Sequence, residues 1–326
     1  MTSEVCSVLI PLFNEERNIK NCFESLLNQK YENLEVIFID DGSTDLSSDI
    51  IDSIMLENPS MNIKKLCQNN MGAAKARELG ISHASGKYVA FLDCDDLLSP
   101  DAILSAMKAF NDEKLDISFF KLKFINNKNN LKVFSDFKTD YQCGDKVNGI
   151  DAFKRNIKQW QVHGLGVYNK SVLIKSYEEY RRYNHSENYI NNDEIIAKIA
   201  CSMARRVFFS EGVYYYFNNE LSTTKRVNTD YYKIVYNALI MHEIIIKNGH
   251  CESKEWNDSV FSLSSTVWHV TKKFLSHRHH LSNKAEWKAS INKANVLVYK
   301  YGKVKDVLFF KFLLQLSISR VIITIF

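Results

Sequence analysis

The stretch LEVIFIDDGSTD, residues 34–45, decides how this chain is to be read. Its first six residues are apolar but for Glu35 and rich in β-branched side chains, as a strand buried on both faces requires. The run stops at Asp40-Asp41-Gly42-Ser43, a turn-forming group. Thr44 or Asp45 can cap the helix that follows, whose apolar face is Ile50, Ile51 and Ile54. The same pattern lies on either side. Residues 5–12 are a short apolar run that includes Pro11, and residues 14–29 carry Ile19, Phe23, Leu26 and Leu27 at helical spacing behind Asn14 as a candidate cap. Downstream, residues 62–67 form a weaker strand and 73–83 a short helix. Residues 87–92 are a strand running into Asp93-Cys94-Asp95-Asp96, and Pro100 opens another helix.

Strand and helix alternate at about 25–30 residues per unit, the signature of βαβ crossovers. The expected fold is α/β, a mostly parallel sheet with helices on both faces, followed by a mainly helical C-terminal region. Ligands of such sheets bind at the carboxyl ends of the strands. Phe13-Asn14, Asp40-Asp41 and residues 93–96 are therefore expected on one rim. Residues 111–225 are less regular, with polar loops at 126–130 and 136–149, whereas 227–302 contain no Pro and one interior Gly and read as helical. The last twenty residues hold 14 apolar side chains and two charges, Lys311 and Arg320. On a helix Lys311, Gln315 and Ser319 share a stripe, which leaves a wide apolar face. That suits a helix lying on a membrane surface, with Lys303 and Lys305 favouring anionic lipid, or a helix packed on the core or on a partner subunit.

Composition excludes several classes. With 326 residues, 45% of them hydrophobic and 25% charged, the chain can bury a full core. A net charge of +4 is too mild for a nucleic-acid binder. Seven cysteines without CxxC spacing argue for a reducing compartment and against a disulfide scaffold or zinc site. Residues 1–20 show no secretory signal, so the expected location is the cytoplasm or the inner face of its membrane. There is no GxGxxG or HExxH, and GISHASGK (80–87) departs from a phosphate-cradling P-loop. His277, His279 and His280 read as a solvated basic cluster.

The acidic rim remains. Asp93 and Asp95 share one short turn after an apolar strand, and hard cations such as Mg²⁺ and Mn²⁺ prefer carboxylate oxygens together with substrate phosphates. Both this group and Asp40-Asp41 also read as turn and capping sequences. Their recurrence at adjacent strand exits favours a site.

The segments VLIPLFNEE (8–16), IDDGSTD (39–45), NNMGAAKARELGI (69–81) and SGKYVAFLDCDD (85–96) resemble, in order and spacing, the nucleotide-sugar-binding half of family 2 glycosyltransferases of the GT-A fold. The resemblance continues more loosely to about Lys225. It implies a nucleotide-sugar-binding half at 1–110 and an acceptor-binding half at 111–226; beyond them the chain's own pattern gives a helical region at 227–302 and an amphipathic helix at 303–326. The resemblance also implies that Pro11, Phe13, Glu15, Asp40, Asp41, Arg77, Asp93 and Cys94 surround a UDP-sugar. Phe13 would lie against the base, Asp41 with Asp40 would accept from it, Arg77 would lie near the pyrophosphate, and Asp93 would hold the ribose side. Asp95, alone or with Asp93, would hold Mg²⁺ or Mn²⁺.

The family's base is an acid late in the domain, and Asp193 fits that slot, with Glu194 as runner-up. Asn192 stands where a Glu usually precedes the base. Asp193 and Glu194 also suit the first turn of a helix. Residues 214–225 (YYYFNNELSTTK) resemble the segment that closes over the diphosphate; Phe217 stands where many relatives have a basic residue, while Ser222, Thr223 and Lys225 can donate to phosphate. Trp160 and His163 are candidates for the acceptor side. The implied activity is inverting transfer of a hexose or N-acetylhexosamine to a glycan or lipid-linked acceptor in bacterial O-antigen or capsule synthesis. The other readings are a nucleotidyltransferase and a non-catalytic sugar-nucleotide or glycan-binding subunit.

Overall fold

The computed structural model describes residues 4–128, 130–159, 161–184, 188–218, 228–248, 253–301 and 307–325. The chain divides into two compact units. The first comprises Met1–Phe153, Gln161–Asn188 and Ile196–Asn219; the second comprises Lys154–Trp160, Tyr189–Ile195 and Glu220–Phe326.

The first half follows the alternation expected: β1 (Cys6–Leu12), α1 (Ile19–Leu27), β2 (Leu34–Asp40), α2 (Ser47–Glu57), β3 (Asn62–Cys67), α3 (Ala73–His83) and β4 (Tyr88–Phe91). There follow β5 (Leu97–Leu98), α4 (Ala102–Ala109), β6 (Leu115–Ile125), β7 (Val133–Asp136), β8 (Lys146–Asn148), α5 (Gly149–Lys158), β9 (Gly166–Asn169), α6 (Lys170–Arg181), α7 (Asn192–Met203) and β10 (Arg206–Phe217). Ten strands form one sheet, whose main path is β3-β2-β1-β4-β9-β6-β10-β5. β1 lies parallel between β2 and β4, with Leu12 opposite Asp40 and Leu9 opposite Phe91. Every residue of β1 and β2 is buried, as two covered faces demand. Val8, Ile10, Val36 and Phe38 join one cluster with residues of α1, α2 and α4, while Leu9 and Ile39 face Gly80 of α3. The sheet is mixed rather than simply parallel, because β9 is antiparallel to both β4 and β6. Two reversals restore direction, so β6 and its parallel neighbour β10 end at the same edge as β1 and β4.

At the opposite edge, Glu35 is fully buried among polar partners. It accepts from Ser7 Oγ at 2.5 Å, from Ser85 N and Oγ at 2.8 and 2.9 Å, and pairs with Lys64 Nζ at 2.5 Å. Burial alone would raise this carboxyl, but those partners outweigh it and hold it down at about 2.

Two helix starts differ from the periodicity. α1 begins at Ile19 rather than behind Asn14, because Asn14 takes a left-handed conformation (φ 57°) and turns its side chain to Thr44 N, 2.8 Å away. α2 begins at Ser47 with Leu46 at its cap position, which makes no side-chain capping bond; Asp45, expected as a cap, lies one residue earlier and accepts from Ser47 N through Oδ1 at 2.9 Å.

The second unit contains a 3-10 turn (Tyr231–Lys233), α8 (Ile234–Lys247), α9 (Lys254–His277), α10 (Lys284–Tyr301) and α11 (Val307–Ile325). Phe274 and Trp287 are buried in its core, and the Trp287 indole N–H donates to Thr229 O at 2.6 Å. α11 packs on α9 and α10. Ser319, expected on the stripe with Lys311 and Gln315, is buried along with Ile323, whereas Leu314, Ile318 and Val321 are exposed. Lys303 and Lys305 lie outside the described residues, as does the side chain of Lys311. Among the described residues no helix is long and apolar enough to cross a membrane.

Candidate functional site

The exits of β1 and β2 interlock before any ligand is considered. Asn14 N donates to Ser43 Oγ and Glu15 N to Ser47 Oγ, both at 2.9 Å, and Glu16 N donates to Asp45 Oδ2 at 3.1 Å. In return Leu46 N donates to Glu16 Oε2 at 3.2 Å. Phe13, at the head of this paired loop, is 43% exposed, unusual for a ring at the end of a buried strand. Pro11 is buried within β1 itself.

Asp40 is buried and caps its own turn, accepting from Ser43 N at 2.8 Å. Asp41 is also buried and accepts from Gln68 Nε2 (2.7 Å), Met71 N (2.8 Å) and Gly72 N (2.7 Å). Its carboxylate therefore fixes the loop into α3. Gly42 (φ 80°) and Gly72 (φ 88°) hold left-handed conformations on either side of this contact. A Cβ at Gly72 would fall 2.1 Å from Asn188 Nδ2.

Five residues into α3, Arg77 turns its guanidinium to Asp93, Nη2 to Oδ1 at 2.6 Å, and lies 5.9 Å from the centre of the Phe91 ring. Asp41 grips the start of α3 and Arg77 grips Asp93, so the β2 and β4 exits are linked through one helix. Cys94 alternates inward: its thiol is buried beside Cys22, and that contact, then burial, pushes it well above the ordinary value. The Cys94 side chain belongs to the core, so a nucleotide-sugar contact at this position would come from its backbone.

The last residue of the acidic run anchors the turn. Asp96 is buried and accepts from Tyr214 Oη and Phe217 N, both at 2.7 Å, while Asp93 N donates to Tyr214 Oη at 3.0 Å. Burial, then the charges of Asp95 and Asp93, push the Asp96 carboxyl up. Glu15 is raised too, chiefly by burial, with Asp95 adding to it and Asn18 and Lys128 opposing. Like charge is thus concentrated around Asp95.

Among the described residues no group of three or more His, Cys, Asp or Glu side chains is arranged to hold a metal ion. A Mg²⁺-type cation needs fewer: one or two carboxylates, with water and substrate phosphates completing the shell. Asp95 with Asp93 supplies such an all-oxygen donor set, and the mutual repulsion of the neighbouring acids is what a cation relieves. The residues fit the group.

The second unit carries Asp193, exposed in the first turn of α7, and Glu194, which accepts from Asn191 Nδ2 at 3.3 Å. Asn191 is left-handed (φ 61°). Asn192 is buried, and Asn237 of α8 donates to its Oδ1 at 3.0 Å and to Ile190 O at 2.8 Å. The amide that departs from the usual acid therefore fastens the loop carrying Asp193.

His163 is buried in the first unit, with Leu165 N donating to Nδ1 at 3.1 Å and Nε2 3.0 Å from Phe120 O. Burial holds it down at about 4, and both ring nitrogens are engaged in the fold, with Phe120 O and Leu165 N. Trp160, Ser222, Thr223 and Lys225 lie outside the described residues. Sequence reasoning placed Tyr214 at the head of the 214–225 segment without giving it a role, and missed Asn237, which has no local signal; the clue to Asp96 was a third carboxylate following the Asp-Cys-Asp turn.

The chain matches the family described as "Glycosyl transferase family 2" over residues 7–196. Curated relatives include a glycosyltransferase, GlyG, of Streptococcus pneumoniae serotype 4, 35% identical over 115 residues. Another is a glycosyltransferase, YibD, of Escherichia coli K12, 28% identical over 223 residues. These alignments cover 35% and 67% of this chain, and 38% and 63% of the relatives' own lengths. Among solved structures, residues 1–349 of S. aureus TarS superpose with a TM-score of 0.68 at 20% identity, over 98% of this chain and 90% of that one. That likeness shows the GT-A-like fold. With the interlocked strand exits and the acidic turn where such a sheet binds its ligand, and a family match across more than half its length, the chain belongs to glycosyl transferase family 2.

Proposed function

We propose that this protein is an inverting glycosyltransferase that moves a hexose or N-acetylhexosamine from a UDP-sugar to a hydroxyl of an acceptor glycan. A lipid-linked acceptor in bacterial surface polysaccharide assembly fits best. The observation that carries the reading is the link Asp41–Gly72–α3–Arg77–Asp93, which brings the β2 and β4 exits into one acidic rim. The TarS structures solved with UDP-GlcNAc and with UDP support a uridine donor, and a Pyrobaculum calidifontis mannosyltransferase solved with GDP-Man and Mn²⁺ supports a cation.

Mg²⁺ or Mn²⁺ held by Asp95 and Asp93 would supply Lewis-acid neutralisation of the leaving diphosphate. Phe13 offers an exposed ring for the base, with Asp40 and Asp41 fixing the loops around it. Arg77 holds Asp93 in one orientation. Asp193 takes the acceptor hydroxyl proton as that oxygen bonds to the anomeric carbon and the carbon–phosphate-oxygen bond breaks. One displacement inverts the centre, so an α-linked donor gives a β-linkage. The exposed Leu314, Ile318 and Val321 support a C-terminal helix resting on the inner membrane surface.

The deciding experiment incubates the protein with a panel of UDP-sugars, Mn²⁺ and a short lipid-pyrophosphate acceptor, and reads the product linkage by NMR. A β-linked product is expected, with Asp95→Ala inactive but folded. Asp193→Asn should bind UDP and fail to transfer. Retained UDP binding with no turnover on any donor would instead favour a binding subunit, and equal loss of binding and transfer in Asp193→Asn would make that residue a structural cap.

A further inference from the structure

We propose that Lys128 supplies a cationic contact for the donor's diphosphate, one that the linear motifs do not contain. The proposal rests on reading the rim as a nucleoside-diphosphate site and adds a residue to it. Because β6 ends at the same edge as β1, β4 and β10, the turn that follows β6 opens beside the acidic exits. Two hydrogen bonds hold the base of that turn to the end of β10: Asn218 N donates to Ile125 O at 2.9 Å, and Asn218 Nδ2 donates to Asn126 Oδ1 at 3.1 Å.

The Lys128 ammonium lies 4.6 Å from the centre of the Phe217 ring and donates to Asn18 Oδ1 at 2.7 Å. Asn18 in turn donates to Glu15 Oε2 at 2.6 Å, and Glu15 feels the charges of both Lys128 and Asp95. A run of contacts, Glu15–Asn18–Lys128–Phe217, therefore lies along the rim, and the charge of Asp95 is felt at its Glu15 end. β10 ends at Phe217, where a neutral ring cannot itself offset a diphosphate. The ammonium resting on that ring can.

Charge bookkeeping favours this role. Glu15, Asp93 and Asp95 repel an incoming diphosphate, and the Arg77 guanidinium is turned to Asp93. Among the described residues, the Lys128 ammonium donates to a neutral amide oxygen and rests on an aromatic face, both weaker partners than a phosphate oxygen, with the Glu15 charge acting on it across Asn18 rather than by a direct hydrogen bond. Lysine is a point charge on a flexible stem, so rotation about that stem exchanges Asn18 for phosphate without moving the backbone.

The test compares UDP with uridine, which lacks the phosphates. Dissociation constants for the full chain with Mg²⁺ are measured by calorimetry for UDP and by ligand-observed NMR for uridine, in wild type, Lys128→Gln and Lys128→Arg. Lys128→Gln is expected to weaken UDP about 10-fold, the usual effect of losing one charge-assisted hydrogen bond, while changing uridine by less than about 2-fold. Lys128→Arg should recover most of the UDP affinity, and the Gln defect should shrink in high salt. Unchanged UDP affinity in Lys128→Gln overturns the proposal, and so does equal weakening of UDP and uridine, which marks a structural latch between Asn18 and Phe217. Wild-type protein that binds neither compound overturns the uridine-diphosphate reading itself. Melting temperatures of both variants show whether a loss is due to misfolding.

Discussion

Tyr214 governs the acidic turn from a position 121 residues away, through an O–H that gives its proton to Asp96 and receives one from the Asp93 amide. Tyr214→Phe keeps the ring and removes both bonds. The expected result is a folded protein, destabilised by about 1–3 kcal/mol, whose apparent affinity for Mn²⁺ falls more than its affinity for uridine. Metal titrations of turnover and of UDP binding measure this, and an unchanged metal requirement would show that the turn supports itself. Glu35 makes a second prediction. Its folded value of about 2 lies below the ordinary 4.5, so its stabilisation is fully present above pH 4.5 and is lost as pH falls towards 2. That gap corresponds to at most about 3 kcal/mol, reduced because Lys64 is partly in water. In Glu35→Gln, denaturant midpoints should fall less steeply over this window than in wild type.

At this scale the sequence showed which residue types crowd the rim but not what each one holds. Asp41 stood out as an acid after a strand, yet its carboxylate accepts three donors from 68–72, a loop whose return to β2 no local pattern encodes. Cys94 lay inside a matching motif, but alternation along the turn sends its thiol inward. Partners that meet across long sequence separations, such as Tyr214 with Asp96 or Asn237 with Asn192, leave no periodic trace.

Among the elements, α3 depends most on a single backbone conformation. Gly72→Ala would place a Cβ into the Asn188 amide and force a left-handed φ on a substituted residue. About 1–3 kcal/mol of destabilisation is expected, together with weaker UDP binding, because Gly72 N is also an Asp41 donor. Thermal denaturation and calorimetry check the two effects separately. α11 offers a different test. Leu314→Glu with Val321→Glu changes only exposed positions, so the fold should persist while sedimentation with anionic vesicles is lost. Equal sedimentation of variant and wild type would argue that these side chains do not meet lipid. β3 and α3 were legible to their first and last residues from periodicity alone, because short amphipathic elements between clear turns leave little choice. The start of α1 was not, since the left-handed Asn14 spends its side chain on the neighbouring loop.

On the scale of the whole molecule, each compact unit buries a histidine. Burial holds His163 of the first and His242 of the second at about 4, against 6.5 for the free side chain. The unfolded chain then takes up these protons first, so stability falls as pH drops from 6.5 towards 4, by up to about 1.4 kcal/mol per pH unit for each. Urea midpoints across that range should show the fall, and His163→Gln, which can still donate and accept, should flatten part of it. Alternation of strand and helix made the parallel half of the sheet readable. The reversal at β9 was hidden, because four residues between a loop and α6 carry no mark of direction.

The two rims of that sheet are electrostatic opposites. One satisfies its buried acid completely; the other crowds Glu15, Asp93, Asp95 and Asp96 against one another. Arg77 and Lys128 offset part of that repulsion, and an added cation would offset more of it. Divalent salt alone, with no sugar or nucleotide in the cuvette, should therefore make it harder to melt.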